Sequence, residues 1–418
     1  MEKRIGEIIY REDLYPRLKH DPLIVQKYAE DLTVLPPIEI NQDNILIDGW
    51  HRLTAFRKAG KESINVVVIK TASDARLKEL AVEKNSKYGM QLSQEDKEAY
   101  AREIYNITPE KKRTAKKKHI AKILSVSERT ISGWLSKIDR DSKVARNKRI
   151  FNLWMACYTQ EEIAKREEVH KDTISEVCRK MAELQKSDKP YAEHLIDFEV
   201  PLYNVWKYRG KSKGSVHPGN TEPTIVDNLL YLYTKPFDIV IDPFAGGGST
   251  IDVCEKRFRR YFVSDRKPVI EREDEIRKWD IVDGLPPVPR WKDVKLVYLD
   301  PPYWKQSEGK YSDSPDDLAN MPLDDFNKTL SGLINNLAKK LHSGCRIALI
   351  IQPTQWNAPD KEYINHATDM IKAVNLPVEM GIQCPYQSEQ CNFQMVEWAK
   401  ENKRLLVISR ELVIWRIK

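Results

Sequence analysis

The stretch Leu299-Asp300-Pro301-Pro302-Tyr303-Trp304 places an acid, two prolines and two aromatic rings directly after an apolar run, Leu296–Leu299. Neither proline can donate to a ladder, so the run reads as a buried strand that stops at Asp300. A carboxylate beside a proline carbonyl of fixed direction can accept both N–H bonds of an amine, while the rings stack on a flat group. A second apolar run, Asp238–Ile241, enters Asp242-Pro243-Phe244-Ala245-Gly246-Gly247-Gly248-Ser249-Thr250. Glycines there let the backbone approach a ligand where a Cβ would collide. Two strands that both end in Asp-Pro predict one site at the carboxyl edge of a parallel sheet.

The glycine loop lacks the G-x-x-x-x-G-K-[ST] pattern and no lysine follows it to grip phosphate. A nucleoside bearing a positive sulfonium suits it better than a triphosphate. Asp265 ends the next predicted strand, where an acid accepts hydrogen bonds from ribose hydroxyls. Asp280 falls near the end of a third strand and has two readings, an acceptor for an adenine amino group or a solvated loop carboxylate. A Cys nucleophile in a Pro-Cys pair is missing, so methylation at carbon 5 of cytosine is excluded.

At this point the residues resemble a known family. Asp242-Pro-Phe-Ala-Gly-Gly-Gly-Ser-Thr250 is similar to the S-adenosylmethionine loop of DNA amino-methyltransferases, and Asp300-Pro-Pro-Tyr303 to their catalytic motif. His217-Pro-Gly-Asn-Thr-Glu-Pro223 resembles their methionine-pocket element. The resemblance covers roughly residues 200 to 418, and the motif order is that of the gamma arrangement. The gamma members usually have Asn where this chain has Asp300, and the Asp-Pro-Phe-Ala-Gly spelling is more typical of the beta arrangement. The resemblance implies S-adenosyl-L-methionine as cofactor, held by Asp242, Phe244, Gly246, Gly248, Ser249, Thr250, Asp265, Asp280, His217, Pro218 and Asn220. It implies Asp300, Pro301, Pro302 and Tyr303 as the catalytic set, with Trp304 as a second stacking face. Adenine N6 is favoured over cytosine N4, whose enzymes more often have Ser before Pro-Pro-Tyr. A base within a duplex cannot reach such a cleft and must flip out, at a cost of a few kcal/mol.

The elements that position these motifs form the last of three expected segments, 189–418. Its strands are predicted at 239–241, 261–264, 294–299, 347–351, 405–409 and 412–417, the last two as a hairpin turning at Arg410-Glu411. Helices are predicted near 225–231, 249–256, 269–279, 324–341 and 361–374. Little sequence is left for a target-recognition insert; the candidates are the polar loop Trp304–Pro322 and the segment 352–359. The expected fold class is multidomain α/β: a small α+β domain, an all-α region, and a Rossmann-like domain with a mostly parallel sheet and a C-terminal hairpin.

Residues 1–80 predict short strands at 38–40, 45–47 and 64–69, with Asp48-Gly49-Trp50-His51-Arg52 turning into a helix. Gly49, His51 and Arg52 are either a nucleotide or phosphate seat or a packed turn. The stretch resembles the N-terminal region of ParB-like proteins and the related sulfiredoxin fold. Residues 81–188 read as helical and contain a repeat. Ile120-Ala-Lys…Val126…Thr130-Ile-Ser132 recurs as Ile163-Ala-Lys…Val169…Thr173-Ile-Ser175, 43 residues on. This is similar to the helix-turn-helix of DNA-binding proteins. A lysine cluster leads into the first copy, so Lys116, Lys117, Lys118, Arg129, Ser132 and Lys171 are the candidates for DNA contact. The second copy carries Glu167 and Glu168 and is less suited to phosphate.

Length and charge bound the rest. The 418 residues predict two or three domains, and the net charge of +7 is mild for that length. The six cysteines form no C-x-x-C pair, so neither a metal site nor a disulfide frame is expected and a reducing cytoplasm is the expected setting. The longest apolar runs are too short to cross a bilayer, so no membrane partner is expected. Double-stranded DNA is the expected partner, and a homodimer is allowed. Two other functions remain open: a partition or regulatory protein with an inert methyltransferase domain, and an RNA methyltransferase.

Overall fold

The computed structural model describes residues 1–87, 91–187, 189, 191–207, 221–386 and 392–418. These form two compact units, Met1–Ala145 and Arg146–Lys418.

The first unit opens with a four-stranded sheet built from β1 (Glu2–Arg4), β2 (Ile38–Ile40), β3 (Leu46–Asp48) and β4 (Ser63–Val68), in the order β1-β4-β2-β3. Ile38, Ile40, Ile64 and Val66 point inward at every second position, as a half-buried sheet requires. Helices α1 (Pro22–Glu30) and α2 (Trp50–Lys58) accompany it. Then follow α3 (Asp74–Lys87), α4 (Gln94–Asn106), α5 (Arg113–Leu124) and the long α6 (Glu128–Met155). A capping box between Ser93 and Asp96 starts α4. Tyr100, Tyr105, Ile120, Leu124, Ile131 and Leu135 are among the residues that close the helical core.

The sequence repeat is a structural repeat. Ser125 and Glu168 are both left-handed, at φ 53 and 55. The Val126 amide donates to Ala121 O at 3.1 Å and the Val169 amide to Ala164 O at 3.3 Å. Ser127 caps α6, and His170 caps α8 (Lys171–Leu184), which follows α7 (Gln160–Glu167). Each of these pairs keeps the same spacing along the chain, so both copies make the same tight helix–turn–helix.

In the second unit, β5 (Ile239–Asp242), β6 (Arg260–Asp265), β7 (Ile276–Lys278), β8 (Val294–Leu299), β9 (Arg346–Ile351), β10 (Val378–Pro385) and β11 (Ser409–Arg416) make one sheet. Their order is β10-β11-β9-β8-β5-β6-β7. β7 to β9 in that order run parallel, and β11 and β10 add an antiparallel edge. Helices α9 (Pro223–Tyr233), α10 (Ser249–Lys256), α11 (Leu323–Lys340), α12 (His366–Ala373) and α13 (Phe393–Glu401) complete it. α11 buries Phe326, Leu330, Leu333, Ile334 and Leu337, one stripe at helical spacing. Among the described residues no helix is long and apolar enough to cross a membrane.

Three details differ from the sequence reading. The helix expected over 269–279 is a short 3-10 turn followed by β7, because Ile276–Lys278 pairs with Val263–Asp265 and tertiary pairing overrides the local pattern. The closing hairpin is β10 with β11, not 405–409 with 412–417. Arg410 and Glu411, read as its turn, lie inside β11, while Leu405 is 88% exposed without a sheet partner. The helix expected from 361 begins at His366, where Asn365 caps it by accepting the Thr368 amide. Phe151, Met155 and Ala156 pack in one core with Leu229, Val240 and Ile251, so the second compact unit takes in the end of α6 and the second repeat copy.

Phe326 is fully buried between α11 and the sheet. Phe326→Ala is expected to destabilise the second unit by about 3–5 kcal/mol, read as a lower urea midpoint of its transition. A midpoint equal to wild type would show that α11 does not hold the sheet.

Candidate active site

Strands β5 and β8 are neighbours, and the chain leaves β5 for β6 on one side and reaches β8 on the other. That is a switch point, where a crevice opens beyond the carboxyl ends. Asp242 and Asp300 sit on its two lips, in the wall of a cavity of about 310 Å³. Phe244, Gly246, Ser249, Thr250, Asp265, Asp280 and Pro302 share that wall.

The glycine loop turns because its glycines take left-handed backbone, φ 50 at Gly246 and 85 at Gly248. A Cβ on Gly248 would lie 2.6 Å from Arg272 Nη1. The Gly246 amide donates to Asp265 Oδ2 at 2.9 Å, and the Lys267 amide to Asp265 Oδ1 at 2.8 Å, so the end of β6 fixes the loop. Asp280 accepts the Val282 amide at 3.1 Å and pairs with Arg266 Nε at 3.0 Å. It is a structured carboxylate on the cavity wall, not a solvated one.

Asp242 is fully buried. Its Oδ2 accepts the Thr250 hydroxyl at 2.6 Å and its Oδ1 the Phe244 amide at 2.9 Å. Burial nonetheless pushes its carboxyl up to about 7. Asp300 is held by more hydroxyls. Thr221 donates to Oδ2, Tyr298 lies 3.4 Å from Oδ2, and Tyr303 donates to Oδ1 at 3.2 Å. Burial pushes Asp300 up to about 6, opposed by Thr221, Arg410 and the two tyrosines.

The remaining expected residues are placed as follows. Pro301 is buried just behind Asp300, and Tyr303 turns its hydroxyl inward to the carboxylate. Trp304 is not a stacking face. It is 4% exposed, and its Nε1 donates to Met321 O at 2.8 Å. The loop Trp304–Pro322 is folded on itself, with Asn320 Nδ2 donating to Ser312 O and Ser314 O, and Lys310, Tyr311 and Ser312 wall the cavity. His217, Pro218 and Asn220 lie outside the described residues. Sequence reasoning missed Thr221, Tyr298, Glu222 and Arg410. Tyr298 was findable, since it stands two residues before Asp300 on the same face of β8.

The N-terminal candidates have structural work. Arg52 Nη2 donates to Asp48 Oδ2 at 2.6 Å, and its Nη1 to Pro36 O and Pro37 O. His51 Nε2 accepts the Asp21 amide at 3.3 Å, and burial pushes the imidazole down to about 4. A neutral His51 offers phosphate no charge at neutral pH. Gly49 is needed because a Cβ there would meet Ile38 Cγ2 at 2.6 Å. This favours the packed turn over the phosphate seat.

Of the basic candidates, Lys116 donates to Glu79 at 3.3 Å, Lys117 to Asp139 at 2.5 Å, and Lys171 pairs with Glu161. Lys118, Arg129 and Ser132 are exposed. The start of α6 presents Arg129, Ser132, Gly133, Ser136, Lys137 and Arg140 as an exposed stripe. A Cβ at Gly133 would meet nothing within 4 Å.

Against this geometry, comparison with known proteins gives a family. The family model described as DNA methylase, of the N6/N4 type, matches residues 51–273, more than half of the chain. The chain belongs to that family. The matched stretch contains the glycine loop and ends before Asp300, so the assignment of Asp300 rests on the geometry above. The chain is 31% identical over 87 residues to the type II methyltransferase M.BglII of Bacillus subtilis, covering 20% of this chain and 23% of that protein. It is 40% identical over 65 residues to the putative methylase YubD of Escherichia coli (strain K12), covering 15% and 27%. The matches thus span about a quarter of those relatives' length. Among solved structures, the C-terminally truncated chromosome-partitioning protein ParB from Caulobacter crescentus, complexed to the centromeric parS site, aligns at 14% identity. That alignment covers 43% of this chain and 99% of that chain, with a TM-score of 0.25. The family implies a methyl donor of the S-adenosylmethionine type.

The Thr250 hydroxyl stabilises the charged form of Asp242. Thr250→Val removes that bond, so Asp242 is expected to titrate above its wild-type value of about 7. Carbon-13 NMR of the aspartate carboxyls reads this directly, and an unmoved titration would contradict the assignment.

Proposed function

We propose that the protein transfers a methyl group from S-adenosyl-L-methionine to the exocyclic amine of a base flipped out of duplex DNA, with adenine N6 favoured over cytosine N4. The observation that carries this reading is that Asp300 and the glycine loop with Asp265 wall one cavity. The donor set fits the cofactor. Asp242, Asp265, Asp280 and Asp300 put four carboxyls on the cavity wall, beside Arg266, Lys267 and Lys310, and suit a cationic nucleoside. Asp265 would take the ribose hydroxyls, Asp280 the adenine amine, and Phe244 with Gly246, Gly248, Ser249 and Thr250 the rest. When bound, the cofactor supplies an electrophilic methyl on a sulfonium.

What the chain supplies is preparation of the amine. Its lone pair is delocalised into the base, so it is a poor nucleophile. Asp300 Oδ1 accepts one N–H and the Pro301 carbonyl the other, which draws the nitrogen toward tetrahedral geometry. Oδ1 accepts the Tyr303 hydroxyl, and a lone pair remains for the substrate. The methylated nitrogen sheds a proton, and Asp300, with its raised proton affinity, takes it at the same oxygen. The carboxylate is the working form, so activity is present above about 6 and is lost as pH falls through that value. The apolar and hydroxyl-lined walls exclude water around the acid.

The three segments 1–80, 81–188 and 189–418 are proposed to divide the work into a ParB-like domain, a DNA-binding region and the catalytic domain. Within the second, the stripe at the start of α6 is the reading face for double-stranded DNA. An exposed helical glycine costs about 1 kcal/mol relative to alanine, and Gly133 has no packing partner that requires it. Close approach of a DNA backbone gives it a purpose.

Asp300→Ala is expected to lower methylation by about 10²–10³-fold. Nucleoside analysis of digested DNA from cells expressing each form checks this and identifies the base; equal methylation by both would overturn the role of Asp300. Lys118→Ala and Arg129→Ala are each expected to weaken duplex binding across sequences and to reduce the log–log salt slope by about 1. Fluorescence anisotropy at several salt concentrations measures the slope, and an unchanged slope would remove these residues from the interface.

A further inference from the structure

Behind the Asp300 carboxylate lies a buried cation that the reaction as derived does not use. Arg410, on β11, is 2% exposed. Its Nη2 donates to Glu222 Oε2, and its guanidinium lies 4.4 Å over the Tyr386 ring. Its charge also bears on the Tyr303 hydroxyl, which itself donates to Asp300 Oδ1. Glu222 follows Thr221, whose hydroxyl donates to Asp300 Oδ2. The two oxygens of the acid are therefore held from two directions, by Tyr303 and by Thr221, and the ion pair anchors the second.

A buried arginine–glutamate pair is a poor source of stability, since apolar residues of similar volume often fill such a site as well or better. Its effect must be sought in what it touches. The groups that face Asp300 are Asp242 on β5, Tyr298 on β8, Tyr303, Tyr311, Tyr386 and Arg410, and Arg410 is the cation of the set.

We propose that Arg410, locked in place by Glu222, is a positioning residue for Asp300: the pair anchors the Thr221–Glu222 step whose Thr221 hydroxyl holds the carboxylate, and the guanidinium sets a permanent positive charge beside it. The inference rests on the reading of Asp300 as the acid that receives the amine. It explains why the antiparallel edge of the sheet is part of the site although β11 lines none of the cavity. It also makes the Thr221–Glu222 step, at the entry to α9, a two-point clamp.

The test uses the full chain with Arg410→Met and Glu222→Met combined, which removes both charges at once, and separately Arg410→Lys. The double variant is expected to melt near wild type. Its Asp300 carboxyl, followed by carbon-13 NMR in the free protein, is expected to titrate about one pH unit higher, with the acid limb of kcat displaced equally and the cofactor KM within about twofold. Arg410→Lys keeps the charge but not the planar fork. It is expected to leave the titration near wild type while kcat falls about tenfold, because the Thr221–Glu222 step is no longer anchored in the same geometry. Wild-type titration in the double variant, or wild-type kcat in Arg410→Lys, would overturn the proposal. The carboxyl titration needs no turnover, so a wild-type protein that methylates no DNA would defeat the proposed function and leave this reading to be decided by the NMR.

Discussion

A carboxylate buried at the end of a parallel strand either finds donors or takes up a proton. Asp300 is that carboxylate. Burial raises its proton affinity, and the hydroxyls of Thr221, Tyr298 and Tyr303 with the Arg410 charge pull it back toward ionisation. The balance falls near 6. The acid is then ionised at neutral pH and still basic enough to receive a proton from an amine. Asp242, one strand away, has fewer donors and sits higher, near 7. Two acids on the lips of one crevice thus differ because their hydrogen-bond partners differ.

The sheet makes this balance possible. β5 and β8 lie side by side with Ile241 opposite Val297, so Asp242 and Asp300 leave neighbouring strands within two residues of the same level. Pro243 and Pro301 end the ladder on each. The glycine loop leaves β5, turns through two left-handed glycines and is tied to the end of β6 through Asp265. β11 then crosses antiparallel to β9 and brings a charged side chain into the core from the opposite direction. Each of these devices acts on side chains from distant parts of the chain.

Much of this was legible in the sequence. Strands β5, β6, β8 and β9 were recoverable because fully apolar runs that end in Asp or Pro have few other readings. The glycine loop, Asp265 and Asp300 followed from the same runs. The repeat was legible down to its turn, since Ala121 and Val126 recur as Ala164 and Val169. What failed depended on tertiary pairing. Arg410 looked like a hairpin turn because a charged pair between apolar runs usually is one; only the pairing with Cys384 of β10 puts it inside a strand. Trp304 looked like part of the aromatic rim, and only the chain folding back at Met321 buries it.

The central claim is that donor and target amine meet at Asp300 in one cavity. A crystal structure of the protein with S-adenosylhomocysteine and a short duplex tests it most directly. The account predicts the cofactor on the glycine loop and an extrahelical base whose amino nitrogen contacts Asp300 Oδ1 and the Pro301 carbonyl oxygen. A cofactor bound elsewhere, or a base stacked in the duplex with Asp300 facing only protein, would contradict it.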